Sequence, residues 1–202
     1  RRGGPEGVPC PQHHQGGPER RRNASVQPGD RSSEWATAEE LALAPILADG
    51  TPVRLTGEDV ERGTFSHRHA VFHDVSTGKQ LIPLQEFPQA KAAVEIHNSP
   101  LAENATIGFE FGFNVQEPGW LVLWEAQYGD FINGAQIILD QFVTSARAKW
   151  GLKPSLAFLL PPAYEGQGPA HSSARPERCP PPAPPTTPPP APRPPARRRC
   201  PR

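Results

Sequence analysis

Short apolar runs alternate with amphipathic stretches through the middle of this chain. Thr37 followed by Glu40 has the form of a capping box, and Leu41, Leu43, Ile46 and Leu47 continue at helical spacing to Asp49-Gly50. The pattern predicts a surface helix that Thr37 opens and Gly50 closes. Residues 52–56 read as a short strand, Gly57 opens a polar loop through Gly63, and 69–73 and 81–84 are extended segments around the turn signal Ser76-Thr77-Gly78. Ser99-Pro100 supplies an N-cap and a proline suited to the first helical position, predicting a helix over 101–113. On that helix Ala105, Gly108 and Gly112 share one face, as suits close helix packing or the approach of a flat ligand.

After the turn at Pro118-Gly119, residues 120–124 form a compact apolar run of the kind buried on both faces of a sheet. Ala135, Ile138, Phe142 and Ala146 follow at helical spacing, with Leu139 and Val143 widening the face, and 156–160 is a second buried strand. Strand, helix and strand in this order imply a crossover and a parallel sheet, so the fold class is α/β. The chain has no internal repeat.

Composition separates this middle from the ends. The 202 residues include 28 prolines, concentrated in 1–33 with Gly, Arg and His, and in 179–202 with Arg. Neither end has the apolar surface to offset the cost of ordering, so both are expected to be disordered around a domain at 34–178. Formal charge is zero, which leaves no overall field to draw nucleic acid or anionic lipid. No apolar run approaches the roughly 20 residues of a membrane span, and the sequence reads as a soluble intracellular protein. Cys10, Cys179 and Cys200 lie in the low-complexity ends without the spacing of a zinc site or a disulfide framework.

Several side chains could carry chemistry. Glu103 falls in the first turn of its helix, where the dipole favours a carboxylate whether or not it has a further role. Glu125 and Asp130 follow the first buried strand, and ligands of open α/β sheets sit beyond the carboxyl ends of strands; they are read either as site residues or as loop charges and caps. His67, His69 and His73, with Asp74, share a face if extended, which suits a metal less well than a hydrogen-bonding role because spacing shows no fourth ligand. The loop at 161–175 mixes glycines with His171, Ser172, Ser173 and Arg175, the ingredients of an anion or cofactor site. Nucleophilic hydrolysis is disfavoured by the lack of a Gly-x-Ser-x-Gly turn.

Five stretches in order carry a resemblance. They are Trp35-Ala-Thr-Ala-Glu-Glu-Leu-Ala, Gly57-Glu-Asp-Val-Glu-Arg-Gly-Thr-Phe-Ser-His-Arg-His-Ala-Val, Asn98-Ser-Pro-Leu-Ala-Glu-Asn, Trp124-Glu-Ala-Gln-Tyr-Gly-Asp-Phe-Ile-Asn-Gly-Ala-Gln and Tyr164-Glu-Gly-Gln-Gly-Pro-Ala-His-Ser-Ser-Ala-Arg. Together they resemble the decarboxylating component of the 2-oxoglutarate dehydrogenases, within its transketolase-like pyrimidine-binding domain. The resemblance implies a parallel-sheet domain and a thiamine-diphosphate-dependent oxidative decarboxylation of 2-oxoglutarate, with succinyl transfer to a lipoyl group. It implies that Glu103, raised in pKa by burial, hydrogen-bonds a ring nitrogen of the aminopyrimidine and favours the tautomer that deprotonates the thiazolium carbon. It further implies that Phe131 stacks on the ring, that Tyr128, where relatives usually carry Phe, lines the pocket, and that Gln127 and Gln167 stand in its wall. His171 matches the histidine that reaches the substrate.

The partners implied are a second copy in a homodimer and a lipoyl-bearing succinyltransferase. The compartment implied is the cytoplasm or, in a eukaryote, the mitochondrial matrix. In the family a separate domain with a Gly-Asp-Gly motif binds the diphosphate and magnesium. This sequence contains no such motif, so the chain alone is expected to bind the cofactor weakly or not at all. Relatives carry Pro-His-Gly where this chain has Pro161-Pro162-Ala163, and Glu where it has Ala170; both differences fall in the loop of His171 and restrict its backbone. The resemblance stops at Arg178. The tail beyond has the composition of a frame translated out of phase, so the domain is expected to be incomplete. A proline-rich arm on a non-catalytic scaffold is the alternative of a different class, and a relative acting on another 2-oxo acid is a third.

Overall fold

The computed structural model describes residues 35–153 and 155–161. Residues Val53–Gly57 form β1, the inner strand on which the sheet is built. It pairs in parallel with β4 (Val94–Asn98) on one side and β5 (Leu121–Glu125) on the other, with Leu55 opposite Ile96 and Leu123. β6 (Leu156–Leu159) extends the sheet beside β5, again parallel, giving the order β4-β1-β5-β6. The α/β class with a parallel sheet is as the sequence predicts. β6 differs from expectation: it closes the described sheet, and its residues are half-buried rather than covered on both faces.

Alternation along the strands divides two cores. Val53, Leu55 and Leu123 face α1 (Trp35–Ala48) and pack with Leu43 and Leu47. Trp124 points the other way and joins Ile107 of α2 (Glu103–Gln116) with Ala126, Ile132, Ala135 and Leu139. The sheet is therefore sandwiched between helices, as a parallel sheet requires.

Helix boundaries depart from the sequence reading where backbone groups have tertiary partners. Thr37 does not cap α1; it lies inside the helix, buried, because Ala36 before it is also packed into the core. Its hydroxyl has no hydrogen-bond partner among the described residues. Gly50 ends the helix as expected, at φ 94°, with its amide on the Leu47 carbonyl at 3.1 Å. Ser99-Pro100 does not start α2. The Ser99 amide donates to the Gly57 carbonyl at 2.7 Å, which ties this segment to the end of β1 and delays the helix to Glu103, with Ala102 at the N-cap.

Residues after β5 do not form the single helix that their apolar spacing suggests. A 3-10 turn (Gly129–Ala135) passes through α3 (Gln136–Ile138) into a π-helical stretch (Leu139–Val143), and α4 (Ala146–Trp150) follows after a break. Ala135, Leu139 and Ala146 still face the core, whereas Phe142 is pushed toward solvent. The close packing expected of Ala105, Gly108 and Gly112 is also absent from the described residues. A Cβ on Gly112 would meet nothing within 4 Å, and one on Gly108 only the Ile138 Cδ1 at 3.8 Å.

β2 (Phe72–His73) and β3 (Gln80–Leu81) make a small antiparallel hairpin where the sequence placed extended segments around a turn. The Asp74 carboxylate accepts from the amides of Ser76 at 2.7 Å and Thr77 at 3.0 Å, and Gly78 takes φ 69°. Those bonds, the Thr77 amide foremost, hold the Asp74 carboxyl below its ordinary 3.8. A lowered native pKa means that the stabilisation is complete above pH 3.8 and fades as pH falls through the depressed value. Amide exchange measured by NMR is expected to accelerate at Ser76 and Thr77 on acidification below this point, beyond the intrinsic pH trend. Asp74→Asn should remove that dependence.

Among the described residues no helix is long and apolar enough to cross a membrane.

Candidate functional site at the carboxyl edge of the sheet

β1 and β5 both end at one edge, and the chain leaves each by a loop that the other holds. Gly57, the last residue of β1, lies so close to β5 that a Cβ there would stand 2.4 Å from the Glu125 carbonyl oxygen. Any larger side chain would force these strand ends apart. Beyond β5, the Ala126 amide donates to Leu159 at 3.0 Å and the Gly129 amide to Pro161 at 3.0 Å, so the Gln127 and Tyr128 segment is anchored to β6 and its continuation.

The site residues named from the sequence fall into three groups. Glu103 is the first residue of α2, and Ile107, one turn later on the same face, packs with Ala126 and Ile132. α2 thereby packs on the stretch Gly129–Ala135 that carries Phe131. The Tyr128 and Phe131 rings meet edge to face, with centroids 5.7 Å apart. Gln127 stands beside them with its Oε1 buried and without a hydrogen-bond partner among the described residues. His171 and Gln167 lie outside the described residues, as do Ser172, Ser173 and Arg175.

Glu103 is half-buried, not buried as the sequence argument supposed. The physical reason is its place at the helix tip, where Ala102, Asn104 and Ala105 are all exposed. Full burial requires something to cover this edge.

Glu125 has neither of the roles weighed for it. It is buried and bonded through both oxygens to Arg68, which is itself only 2% exposed. Arg68 also forks onto Glu39 of α1, with Nη2 to Oε2 at 2.9 Å, and gives Nη1 to the Val60 carbonyl at 3.0 Å. Burial alone would ease the proton off this guanidinium; the hydrogen bonds and charges of Glu39 and Glu125 more than reverse that, so its pKa stands above the ordinary value. Glu39, His67 and Glu125 bring ligand atoms within 4.8 Å of one another, but Arg68 already supplies the positive charge between the two carboxylates that a metal ion would bring. His69 and His73 have hydrogen-bonding roles: His69 Nε2 lies 2.9 Å from the Ser66 carbonyl and His73 Nε2 2.7 Å from Glu61.

A second buried cluster underlies α2. Glu110, wholly buried, takes two bonds from Arg54 at 2.8 and 3.1 Å, while Arg54 also binds Glu95 at 2.6 Å. A cavity of about 250 Å³ opens beside it, lined by Arg54, Thr56, His97, Ser99, Thr106 and Phe109 among others. Neither Glu103 nor Phe131 lines that space, so it is distinct from the aromatic pair.

Comparison with known proteins decides what this edge belongs to. The family described as transketolase, pyrimidine binding domain, matches residues 31–181. The chain belongs to this family. Its pyrimidine-binding domain is 56% identical over 157 residues to the 2-oxoglutarate dehydrogenase E1 component of Bacillus subtilis (strain 168), a match covering 78% of this chain and 17% of that protein. The component of the same description from Bacillus mycoides is 57% identical over 160 residues, 79% of this chain and 16% of the relative. That from Oceanobacillus iheyensis is 55% identical over 158 residues, 78% of this chain and 16% of its own length. The chain therefore spans about 16% to 17% of the length of these relatives.

This edge carries the Tyr128–Phe131 ring pair, the buried Gln127 oxygen, which accepts a hydrogen bond, and the carboxyl at the tip of α2, groups compatible with a flat, hydrogen-bonding heterocycle.

Proposed function

We propose that this chain is the aminopyrimidine-holding part of a thiamine-diphosphate-dependent 2-oxoglutarate dehydrogenase. The observation that carries the reading is that Glu103 follows β4 and that Gln127, Tyr128 and Phe131 follow β5, two parallel strands that end at one edge of the sheet, in a domain 56% identical to a 2-oxoglutarate dehydrogenase E1 component. Thiamine diphosphate, when bound, supplies the carbon nucleophile and the electron sink for decarboxylating a 2-oxo acid. Glu103 holds and exchanges a proton at the pyrimidine ring nitrogen. Phe131 fixes the ring plane and Tyr128 and Gln127 close the wall beside it. His171 donates a hydrogen bond or proton to the negative charge that develops on the substrate, and Gln167 borders the same space. The diphosphate and magnesium are held by a separate domain of the Gly-Asp-Gly type.

A second copy of the chain is the partner that covers the edge. The α2 face that carries Ala105 and Gly112 is open, and Phe109 and Ile137 beside it are exposed at 59% and 74%. The acyl group then passes to a lipoyl-bearing succinyltransferase. The test is a graft: residues 31–181 replace the matched stretch of the Bacillus subtilis relative. The graft, assembled with that relative's acyltransferase partner, should oxidise 2-oxoglutarate in preference to pyruvate. A folded graft without activity on any 2-oxo acid would contradict the proposal.

A further inference from the structure

The loop between β1 and β2 contributes more than a connection. Across 63–69 the backbone takes positive φ at Gly63 (83°), Ser66 (54°) and His69 (46°), and two of these are not glycine. Such strain persists only when surrounding contacts over-determine it, and it concentrates at functional sites. The contacts here are explicit. The amides of Arg68 and His69 both donate to the Arg62 carbonyl at 2.9 Å, the Ala70 amide donates to Glu61 at 2.7 Å, and the Arg68 guanidinium is locked between Glu39 and Glu125. A Cβ on Gly63 would lie 2.6 Å from the His67 ring, so the loop closes on itself.

Two side chains project from this fixed frame onto the candidate cofactor edge. Thr64 Oγ1 donates to the Gln127 carbonyl at 2.6 Å, across 63 residues of sequence. Phe65 meets Tyr128 edge to face, with centroids 6.1 Å apart, and Tyr128 in turn meets Phe131. Phe65 thus joins Tyr128 and Phe131 in a row of rings that continues to His67, 6.4 Å away between centroids, while remaining 44% exposed.

Building on the functional reading above, we infer that Thr64 and Phe65 are positioning residues for the cofactor pocket. Thr64 sets the height of the Gln127 and Tyr128 wall through the backbone, and Phe65 sets the tilt of Tyr128 against Phe131. Neither handles a proton, so their effect falls on cofactor binding and not on the chemical step.

The graft separates these cases. Its rate is measured against thiamine diphosphate concentration at saturating magnesium and 2-oxoglutarate. Thr64→Val, equal in shape but without the donor, should raise the half-activating cofactor concentration about tenfold, the effect of one lost hydrogen bond. Its kcat at saturating cofactor should remain within about twofold of the parent graft. Thr64→Ser, which restores the hydroxyl, should restore cofactor affinity, and Phe65→Leu should weaken it as Thr64→Val does. An unchanged half-activating concentration in both Thr64→Val and Phe65→Leu overturns the inference. So does a fall in kcat that saturating cofactor cannot relieve, which would mark a merely structural role. An inactive parent graft is a different result: it removes the functional reading, and this inference with it.

Discussion

Glu103→Gln in the graft is expected to lower kcat by about 10²- to 10⁴-fold, the range that one positioned acid or base contributes. Gln keeps the size and one hydrogen-bonding oxygen of the side chain but cannot exchange a proton with a ring nitrogen. The loss should therefore appear in kcat at saturating cofactor, with a smaller change in the cofactor concentration needed. Glu103 is the right place for so large an effect because its backbone is fixed twice, by the Ser99 tether to Gly57 and by the Ile107 contact with Ala126 and Ile132. A steady-state assay with cofactor titration checks this. A decrease of less than about fivefold would show that another group moves the proton.

Arg68→Ala is expected to destabilise the folded domain by about 3–5 kcal/mol, because Glu125 would be left as an uncompensated buried charge beside the partly buried Glu39. That is a large part of the roughly 5–15 kcal/mol by which domains are stable, so the variant should unfold at a much lower urea concentration than the parent. Arg68→Lys retains the charge yet cannot fork onto both carboxylates, and it should fall between the two. Replacing the cluster as a whole, with Arg68→Met, Glu39→Leu and Glu125→Leu together, should recover most of the stability. Urea unfolding followed by tryptophan fluorescence reports these differences, since Trp124 lies in the adjoining core and is 3% exposed.

β1, β5 and β6 were legible as short runs of strand-forming residues bounded by turns, whereas β4, Val94–Asn98, was not, because Glu95, His97 and Asn98 break its apolar pattern. The crossover legible in the sequence runs through 135–146, between the strands that become β5 and β6; the crossover of α2 between β4 and β5 was not legible, because β4 was not. The start of α2 falls two residues later than the sequence predicts because Ser99-Pro100 has local capping chemistry, whereas the Ser99 amide is committed to Gly57 far away in sequence. Thr37 misled for a related reason: a capping residue and a buried threonine on a helix face look alike until the packing of Ala36 is known. Change of pitch through 129–150 leaves no mark on apolar spacing, since Ala135, Leu139 and Ala146 face inward all the same.

On the site, Glu103, Gln127, Tyr128 and Phe131 were named by resemblance alone; Glu103 follows β4 and the other three follow β5, strands that end at one edge. Arg68, Thr64 and Phe65 went unsingled although they lie inside a quoted motif. A lone arginine among histidines in a loop has no period to reveal burial, and the partner of each is 57, 63 and 63 residues away in turn. The histidines beside them drew attention to metal chemistry, while the arginine between them carries the structural charge.

The most direct measurement is a calorimetric titration of thiamine diphosphate with magnesium into the graft and into its Phe131→Ala variant. If Phe131 and Glu103 hold the aminopyrimidine ring, the parent binds and the variant binds at least about tenfold more weakly, as loss of an aromatic contact and its buried area requires. Equal affinity in parent and variant would contradict the account, because the ring would then have to lie elsewhere.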